Sequence, residues 1–180
     1  MKAYSRAEIE RLANEVRGDC GQLTIPIDVE QVAKHLGARV LVEGFSDDLS
    51  GVLIRRKGEA ATIAVNCSQS PLRRRFTIAH ECGHMVLDHE GEVFVDKAIL
   101  NRRDSNSSLA VNEQEVQANQ FAASLLMPRE EVVRHMEHLL RSYSSYSVLV
   151  ELMANTFRVS RSAMEIRLVN LGLTSPDDDR

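Results

Sequence analysis

The most informative segment of the 180-residue chain reads Phe76-Thr-Ile-Ala-His80-Glu81-Cys82-Gly83-His84. A capping Ser70 and a proline at the first helical position precede it, so a helix is predicted from about Pro71 to Asp88. Positions i and i+4 of a helix point in the same direction. His80 and His84 can therefore present two imidazole nitrogens to one metal ion.

Glu81 follows the first histidine and points away from the ligand direction, yet it can lean over a water molecule next to the metal. Hydrolysis needs such a carboxylate, because a general base takes the proton of the attacking water and later delivers it to the leaving amine. Gly83 costs roughly 1 kcal/mol against alanine inside a helix. Its presence predicts that another element packs close to the backbone there. The alternative interpretation is a pair of surface histidines, and the apolar neighbours Ile78 and Ala79 speak against it.

A catalytic zinc ion usually has three protein ligands and one open position. Glu115 is predicted as the third ligand, on a helix from about Glu113 to Leu126 whose apolar face would pack on the first helix. Asn119 lies one turn after Glu115 and could accept a hydrogen bond from the outer nitrogen of a ligand histidine. Glu113 is the competing candidate for the third ligand.

Composition narrows the class of protein. The chain has 22 Lys and Arg against 26 Asp and Glu, a net charge of -4, which argues against a protein that coats nucleic acid. No apolar run approaches the roughly 18 residues of a membrane span, and the N-terminus does not resemble a signal peptide. Three cysteines without a CxxC pair predict no disulfide framework and no zinc ribbon, so a cytoplasmic location is expected.

The order of predicted elements is that of an α+β fold with a small twisted sheet, not of alternating βαβ units. Besides the helix that carries His80, helices are predicted over about 5–17, 29–36, 113–126, 129–140, 148–157 and 161–171, and strands over 38–42, 51–54 and 61–65. Residues 96–112 are polar and predict mainly a loop. A core domain over 1–128 and a C-terminal helical segment over 129–180, packed on it, are expected.

Two separated motifs closely resemble the ImmA/IrrE family of zinc metallopeptidases. They are the segment from Arg75 to His84 and the segment Glu115-Val-Gln-Ala-Asn-Gln-Phe-Ala-Ala-Ser-Leu-Leu-Met-Pro128, within a resemblance that covers about 26–173. The resemblance implies a zincin-type, gluzincin-like fold with one Zn²⁺ per chain, held by His80, His84 and Glu115, and with Glu81 as general base. Cys82 replaces the usual leucine of the motif and is predicted to pack away from the ligands.

The resemblance also implies a function, since the best-known family members cleave a helix-turn-helix repressor and so release transcription of stress or mobile-element genes. This implies a narrow-specificity endopeptidase with a protein partner. The alternative is a regulator that binds DNA or a repressor without proteolysis, because residues 152–173 have helix-turn-helix spacing with Arg158, Arg161 and Arg167. A redox role of Cys82 is a third option.

Several secondary signals have two interpretations each. Residues Ile63–Asn66 are either an edge strand that pairs with an extended substrate or an ordinary sheet strand. The run Arg73–Arg75 is either a site for a carboxylate or, by preference, a solvated face paired with acids. Candidates for stabilising an oxyanion are His89, His135, His138, Tyr143 and Tyr146. Cys20 and Cys67 are predicted to be buried.

Overall fold

A computed structural model describes residues 4–46, 48–89, 93–97 and 109–174. Within these ranges the elements are α1 (Arg6–Asp19), α2 (Val29–His35), β1 (Ala38–Glu43), β2 (Leu49–Ile54), β3 (Ala61–Asn66), α3 (Pro71–Val86), β4 (Val93–Lys97), α4 (Leu109–Leu126), α5 (Arg129–Leu140), α6 (Tyr146–Phe157) and α7 (Arg161–Asn170). The predicted α+β class is confirmed. None of the helices in these ranges is long and apolar enough to cross a membrane.

The sheet has the order β1-β3-β2-β4 among the described strands. Strands β2 and β3 form an antiparallel pair, while β1 joins β3 from the other side in parallel orientation. The interpretation of Ile63–Asn66 as an edge strand is therefore wrong, and the ordinary strand is observed. All four residues are buried, which is typical of a strand covered by neighbours on both sides.

The prediction of a loop over residues 96–112 is wrong at both ends. Strand β4 covers residues 93–97 and pairs with β2, and α4 begins at Leu109 instead of Glu113. Pairing with β2 supplies the backbone hydrogen bonds of β4. Such a short apolar segment gives only a weak strand signal in the sequence, because strand formation depends on the neighbouring strand. Residues 98–108, the middle of the predicted loop, and the acidic tail at 177–179 lie outside the described residues.

Helix α3 occupies the centre of the fold, between the sheet and α4. The tight packing that Gly83 predicts is confirmed, because a Cβ atom there would lie 3.1 Å from the Cα atom and the carbonyl oxygen of Ala118 on α4. On the sheet side, a Cβ atom at Gly51 of β2 would collide with the side chain of Thr77. Two glycines thus fix how closely α3 approaches its neighbours.

Replacing Gly83 by alanine should lower the free energy of unfolding by about 1–3 kcal/mol, the usual cost of overpacking. The backbone of α4 must move, and Glu115 moves with it, so metal affinity should fall as well. Gly18 is the matched control. The observed helix α1 extends past its predicted end and includes this residue, and a Cβ atom added there would have nothing within 4 Å. Gly18→Ala should raise stability by up to about 1 kcal/mol. Urea denaturation of both variants tests the contrast, and shifts of the same sign would contradict it.

A buried arginine fixes α7 to the rest of the molecule. Arg167 is 2% exposed, donates from Nε to the carbonyl oxygen of Met127 (2.9 Å) and pairs through Nη2 with Glu10 (2.6 Å). Ser124 donates to the second carboxylate oxygen of Glu10 at 2.9 Å. This network crosses the predicted boundary at residue 128, and the division into two units stays a prediction.

Candidate metal centre

Three predicted ligand side chains converge on one point between α3 and α4. The Nε2 atoms of His80 and His84 lie 3.0 Å apart. Glu115 places Oε2 at 3.2 Å from Nε2 of His80 and Oε1 at 3.5 Å from Nε2 of His84. The ligand atoms that the three residues offer lie within 4.8 Å of one another, so the structure brings together the set inferred from the sequence.

The donor set fits a zinc ion in chemistry and spacing. Two imidazole nitrogens and a carboxylate are a known ligand set of catalytic zinc. Ligand atoms at 2.0–2.1 Å from a tetrahedral ion are about 3.3 Å from one another. The observed separations of 3.0, 3.2 and 3.5 Å bracket that value. The residues present could therefore hold a divalent ion such as Zn²⁺ without large rearrangement.

Burial and pairing set the ionisation states of these ligands. His80 and His84 are 2% and 1% exposed, and burial lowers the pKa of His84 to about 4. Burial alone would raise the pKa of Glu115, but the hydrogen bonds to His80 and His84 outweigh it and hold the pKa well below its usual range. Neutral imidazole and ionised carboxylate are the forms that bind a metal ion.

The lowered pKa of His84 predicts acid sensitivity of the metal-free protein. Between its ordinary value of 6.5 and about 4, the unfolded chain binds a proton that the folded protein does not. The free energy of unfolding therefore has its full value, as far as His84 is concerned, above pH 6.5. It decreases by up to about 3 kcal/mol as the pH falls towards 4. Urea denaturation in chelator across this range should show the decline. His84→Leu should have a shallower pH slope, and parallel slopes would contradict the assignment.

Each ligand histidine has a partner on its outer nitrogen. Nδ1 of His80 lies 3.0 Å from Oδ1 of Asn119, which confirms the contact predicted from the one-turn spacing on α4. Nδ1 of His84 lies 2.8 Å from Nδ1 of His89. The sequence offered His89 as an oxyanion stabiliser, but its second nitrogen, Nε2, lies 3.1 Å from Oε1 of Gln117. The structure places His89 behind the ligand shell, a role that sequence reasoning missed.

Glu81 and Phe94 complete the surroundings of the two histidines. Glu81 is fully buried, alone in that respect among the acidic side chains of the described chain. Acidic side chains are rarely fully buried unless they are paired with another group or with a metal ion. The Phe94 ring of β4 lies 4.4 Å from the ring of His84, centroid to centroid. The Glu115 side chain is 32% exposed, so the centre opens to solvent on the side of α4.

Comparison with known families identifies the fold. The family model of the IrrE N-terminal-like domain, peptidase M78, matches residues 33–169. The chain belongs to this family. The resemblance seen in the sequence is thereby confirmed, and membership of the M78 family indicates a metallopeptidase.

A solved structure shares the architecture of this M78 domain. It is a Mycobacterium tuberculosis transcriptional regulator, with a TM-score of 0.61 and 18% sequence identity over 97% of this chain and 49% of that one. The M78 chain thus spans about half the length of that protein. At this identity the likeness shows the fold alone. A search of curated proteins finds no match.

The competing third ligand of the M78 domain, Glu113, is not brought into the triad. Its side chain is exposed, and its Oε1 atom accepts a hydrogen bond from Nε2 of Gln117 at 3.4 Å. Among the other oxyanion candidates, His135 binds the carbonyl oxygen of Glu131 through Nδ1 at 2.8 Å. His138 and Tyr143 are exposed and Tyr146 packs against the core.

The cysteines of the M78 domain divide into three environments. Cys82 is fully buried in the core, and burial raises the pKa of its thiol, so it packs as predicted and stays protonated. Cys20 is half-buried against the core. Cys67 is exposed, and the prediction that it is buried is wrong, because it follows the last residue of β3 at a turn.

The arginine run at the start of α3 is structural. All three side chains are half-buried, so they are not fully solvated, and their pairing with acids stays a prediction. Arg73 donates to Oγ of Ser50 at 3.1 Å, Arg74 to the carbonyl oxygen of Cys67 at 3.2 Å, and Arg75 to that of Arg158 at 3.3 Å. These bonds tie the first turns of α3 to β2, to the end of β3 and to the turn after α6.

Proposed function

We propose that the chain is a cytoplasmic, zinc-dependent endopeptidase of narrow specificity that cleaves a helix-turn-helix transcriptional repressor and so derepresses stress or mobile-element genes. The observation that carries the proposal is the convergence of His80, His84 and Glu115, together with the burial of Glu81, the residue that follows His80 in the chain. Family membership supports the peptidase class. Free cysteines throughout the described chain agree with a reducing compartment.

The proposed chemistry assigns a role to each side chain. His80, His84 and Glu115 would hold one Zn²⁺. When bound, the ion would act as a Lewis acid and lower the pKa of a water molecule. Glu81 takes the proton from the attacking water and delivers it to the amine of the cleaved peptide. Asn119 keeps the ring of His80 oriented through its Nδ1 atom.

The sheet offers a way to bind an extended peptide. Within the described ranges β4 is an edge strand paired only with β2, and its Phe94 contacts His84. An extended chain can add to a strand edge through backbone hydrogen bonds, with little demand on its sequence. We therefore assign to β4 the substrate-pairing role that the sequence suggested for residues 63–66.

The surface of α7 supports a protein partner. Ile166 and Val169 are 62% and 38% exposed, whereas Arg167 is buried and Arg161 pairs with Glu165 on the same helix. An exposed surface of this kind suits the apolar contacts of a protein interface better than the phosphate contacts that dominate DNA affinity.

The second candidate function is a regulator that binds DNA without proteolysis. It is favoured by the helix-turn-helix spacing of α6 and α7, which residues 158–160 join. Binding of duplex DNA at low salt, falling steeply as salt is raised, would support it. Absence of such binding would count against it, and the burial of Arg167 makes that result the expected one.

Intact-mass spectrometry on a purified candidate helix-turn-helix repressor tests the peptidase proposal. The repressor is incubated with chelator-treated protein, with the same protein after zinc is restored, and with zinc-treated Glu115→Ala. We expect one pair of fragments with zinc-restored wild type alone. Fragments in chelator would contradict a metal-dependent mechanism. An intact repressor at one zinc per chain would contradict this choice of substrate and favour the binding function.

A further inference from the structure

The outer nitrogen of His84 faces a second buried histidine. Nδ1 of His84 lies 2.8 Å from Nδ1 of His89, whose side chain is 3% exposed. On its far side, Nε2 of His89 lies 3.1 Å from Oε1 of Gln117. Neither ring nitrogen of His89 is therefore available to a substrate. A buried imidazole with both nitrogens in contact with protein atoms can have only a few proton arrangements.

The hydrogen bonds of Gln117 determine which of these proton arrangements is present. Nε2 of Gln117 donates to the carboxylate of Glu113 at 3.4 Å, which turns the amide oxygen towards His89. An amide oxygen only accepts, so Nε2 of His89 carries a hydrogen and, in the neutral ring, Nδ1 carries a lone pair. That lone pair accepts the hydrogen on Nδ1 of His84. Nε2 of His84 is then free of hydrogen, which is the form that a metal ion between it and Glu115 would require. In the metal-free protein a hydrogen on this nitrogen can bond to Glu115 instead.

The backbone after α3 is shaped to put His89 in this place. Asp88 has a left-handed conformation (φ 49°), and its N–H donates to the carbonyl oxygen of Met85 at 3.2 Å. The N–H of His89 donates to the carbonyl oxygen of His84 at 3.1 Å, which completes a Schellman motif. Arg55 of the neighbouring loop donates to the carbonyl oxygen of His89. The turn folds the chain back under the ligand that precedes it.

We propose that His89 is a positioning residue of the metal centre, which accepts the Nδ1 hydrogen of His84 and holds that ring in the tautomer and orientation that leave Nε2 free for the ion. The inference rests on the proposed metal site and extends it beyond the three ligands. Partners of this kind commonly change metal affinity 10- to 100-fold. His89 contacts the Nδ1 atom of His84 in the same way that Asn119 contacts the Nδ1 atom of His80.

Three variants of the full chain separate positioning from packing. His89→Phe keeps a ring of similar size but removes the acceptor. His89→Asn restores an acceptor oxygen at the place of Nδ1. His135→Phe is the control, since it makes the same change at another histidine with a bonded Nδ1, away from the triad. Circular dichroism verifies that each variant folds, and competition with a chromophoric chelator gives the dissociation constant of zinc.

We expect His89→Phe to weaken zinc binding about 10- to 100-fold, His89→Asn to recover most of the loss, and His135→Phe to match wild type. Long-range proton–nitrogen spectra of the zinc-loaded wild type should show His84 protonated at Nδ1, a result that does not depend on whether His89→Phe folds. Equal zinc affinity in wild type and His89→Phe, or His84 protonated at Nε2, would overturn the inference. Wild type that binds zinc tightly yet cleaves no repressor would contradict only the peptidase function.

Discussion

Replacing Glu81 by glutamine is expected to reduce cleavage of the substrate by about 10²- to 10⁴-fold, the usual contribution of a general acid–base group. Glutamine has nearly the same volume as glutamate, so the buried site next to His80 should keep its packing. The amide cannot take a proton from water at neutral pH. Zinc affinity should stay close to that of wild type, because Glu81 lies outside the triad of ligand atoms.

The measurement pairs single-turnover cleavage with zinc content for the same preparations. Glu137→Gln is the control, an exposed carboxylate on α5 that should leave both quantities unchanged. Glu115→Ala gives the opposite pattern to Glu81→Gln, since it should lose zinc and activity together. Cleavage at the wild-type rate by Glu81→Gln, free of contaminating protease, would exclude Glu81 as the general base.

Replacing Arg167 by methionine should have the largest effect on stability. The change removes the two bonds from the guanidinium to Met127 and Glu10 and leaves a largely buried carboxylate with Ser124 as its remaining contact in the network. Breaking a buried ion pair by removing one partner typically costs about 3–5 kcal/mol. Glu10 is 20% exposed, so we expect the lower end of that range, near 3 kcal/mol.

An ion pair on the same helix provides the comparison. Arg161 pairs with Glu165 at 2.7 Å, with side chains 38% and 31% exposed, and such pairs are worth about 0–1 kcal/mol. Arg161→Met should therefore change the free energy of unfolding little. The double variant Arg167→Met with Glu10→Gln should recover part of the loss, because no unpaired charge remains. Equal, small effects at Arg161 and Arg167 in urea denaturation would refute the role given to the buried pair.

The residues of the metal centre that lie within helices could be predicted from the sequence. His80 and His84 are one turn apart on α3, and Glu115 and Asn119 one turn apart on α4, so each pair follows from regular periodicity. His89 lies beyond the end of α3, where the chain direction depends on the left-handed conformation of a residue. That residue is Asp88 instead of the usual glycine, so the sequence carries only a weak sign of the motif.

Long-range pairing explains where sequence reasoning failed elsewhere. In the sequence, Arg167 looks like one of several basic residues of a helix-turn-helix. Its carboxylate partner lies 157 residues away, so no local sequence pattern predicts the pair. Whether residues 63–66 form an edge or an interior strand depends on the position of β1, which pairs in parallel after a reversal through β2. The alternation of apolar and polar residues in a strand predicts which face of the strand is buried, but it does not predict which other strands pair with it.

The packing of α1 has a consequence for what counts as a folding unit. The family match begins at residue 33, but α1 ends at Asp19, packs along α4 and contributes Ile9 and Ala13 to the core. A chain cut back to the matched segment would leave the outer side of α4 in water and Arg167 without its counter-charge. The segment that the family model matches is therefore smaller than the packed unit that encloses α4, the helix that carries Glu115.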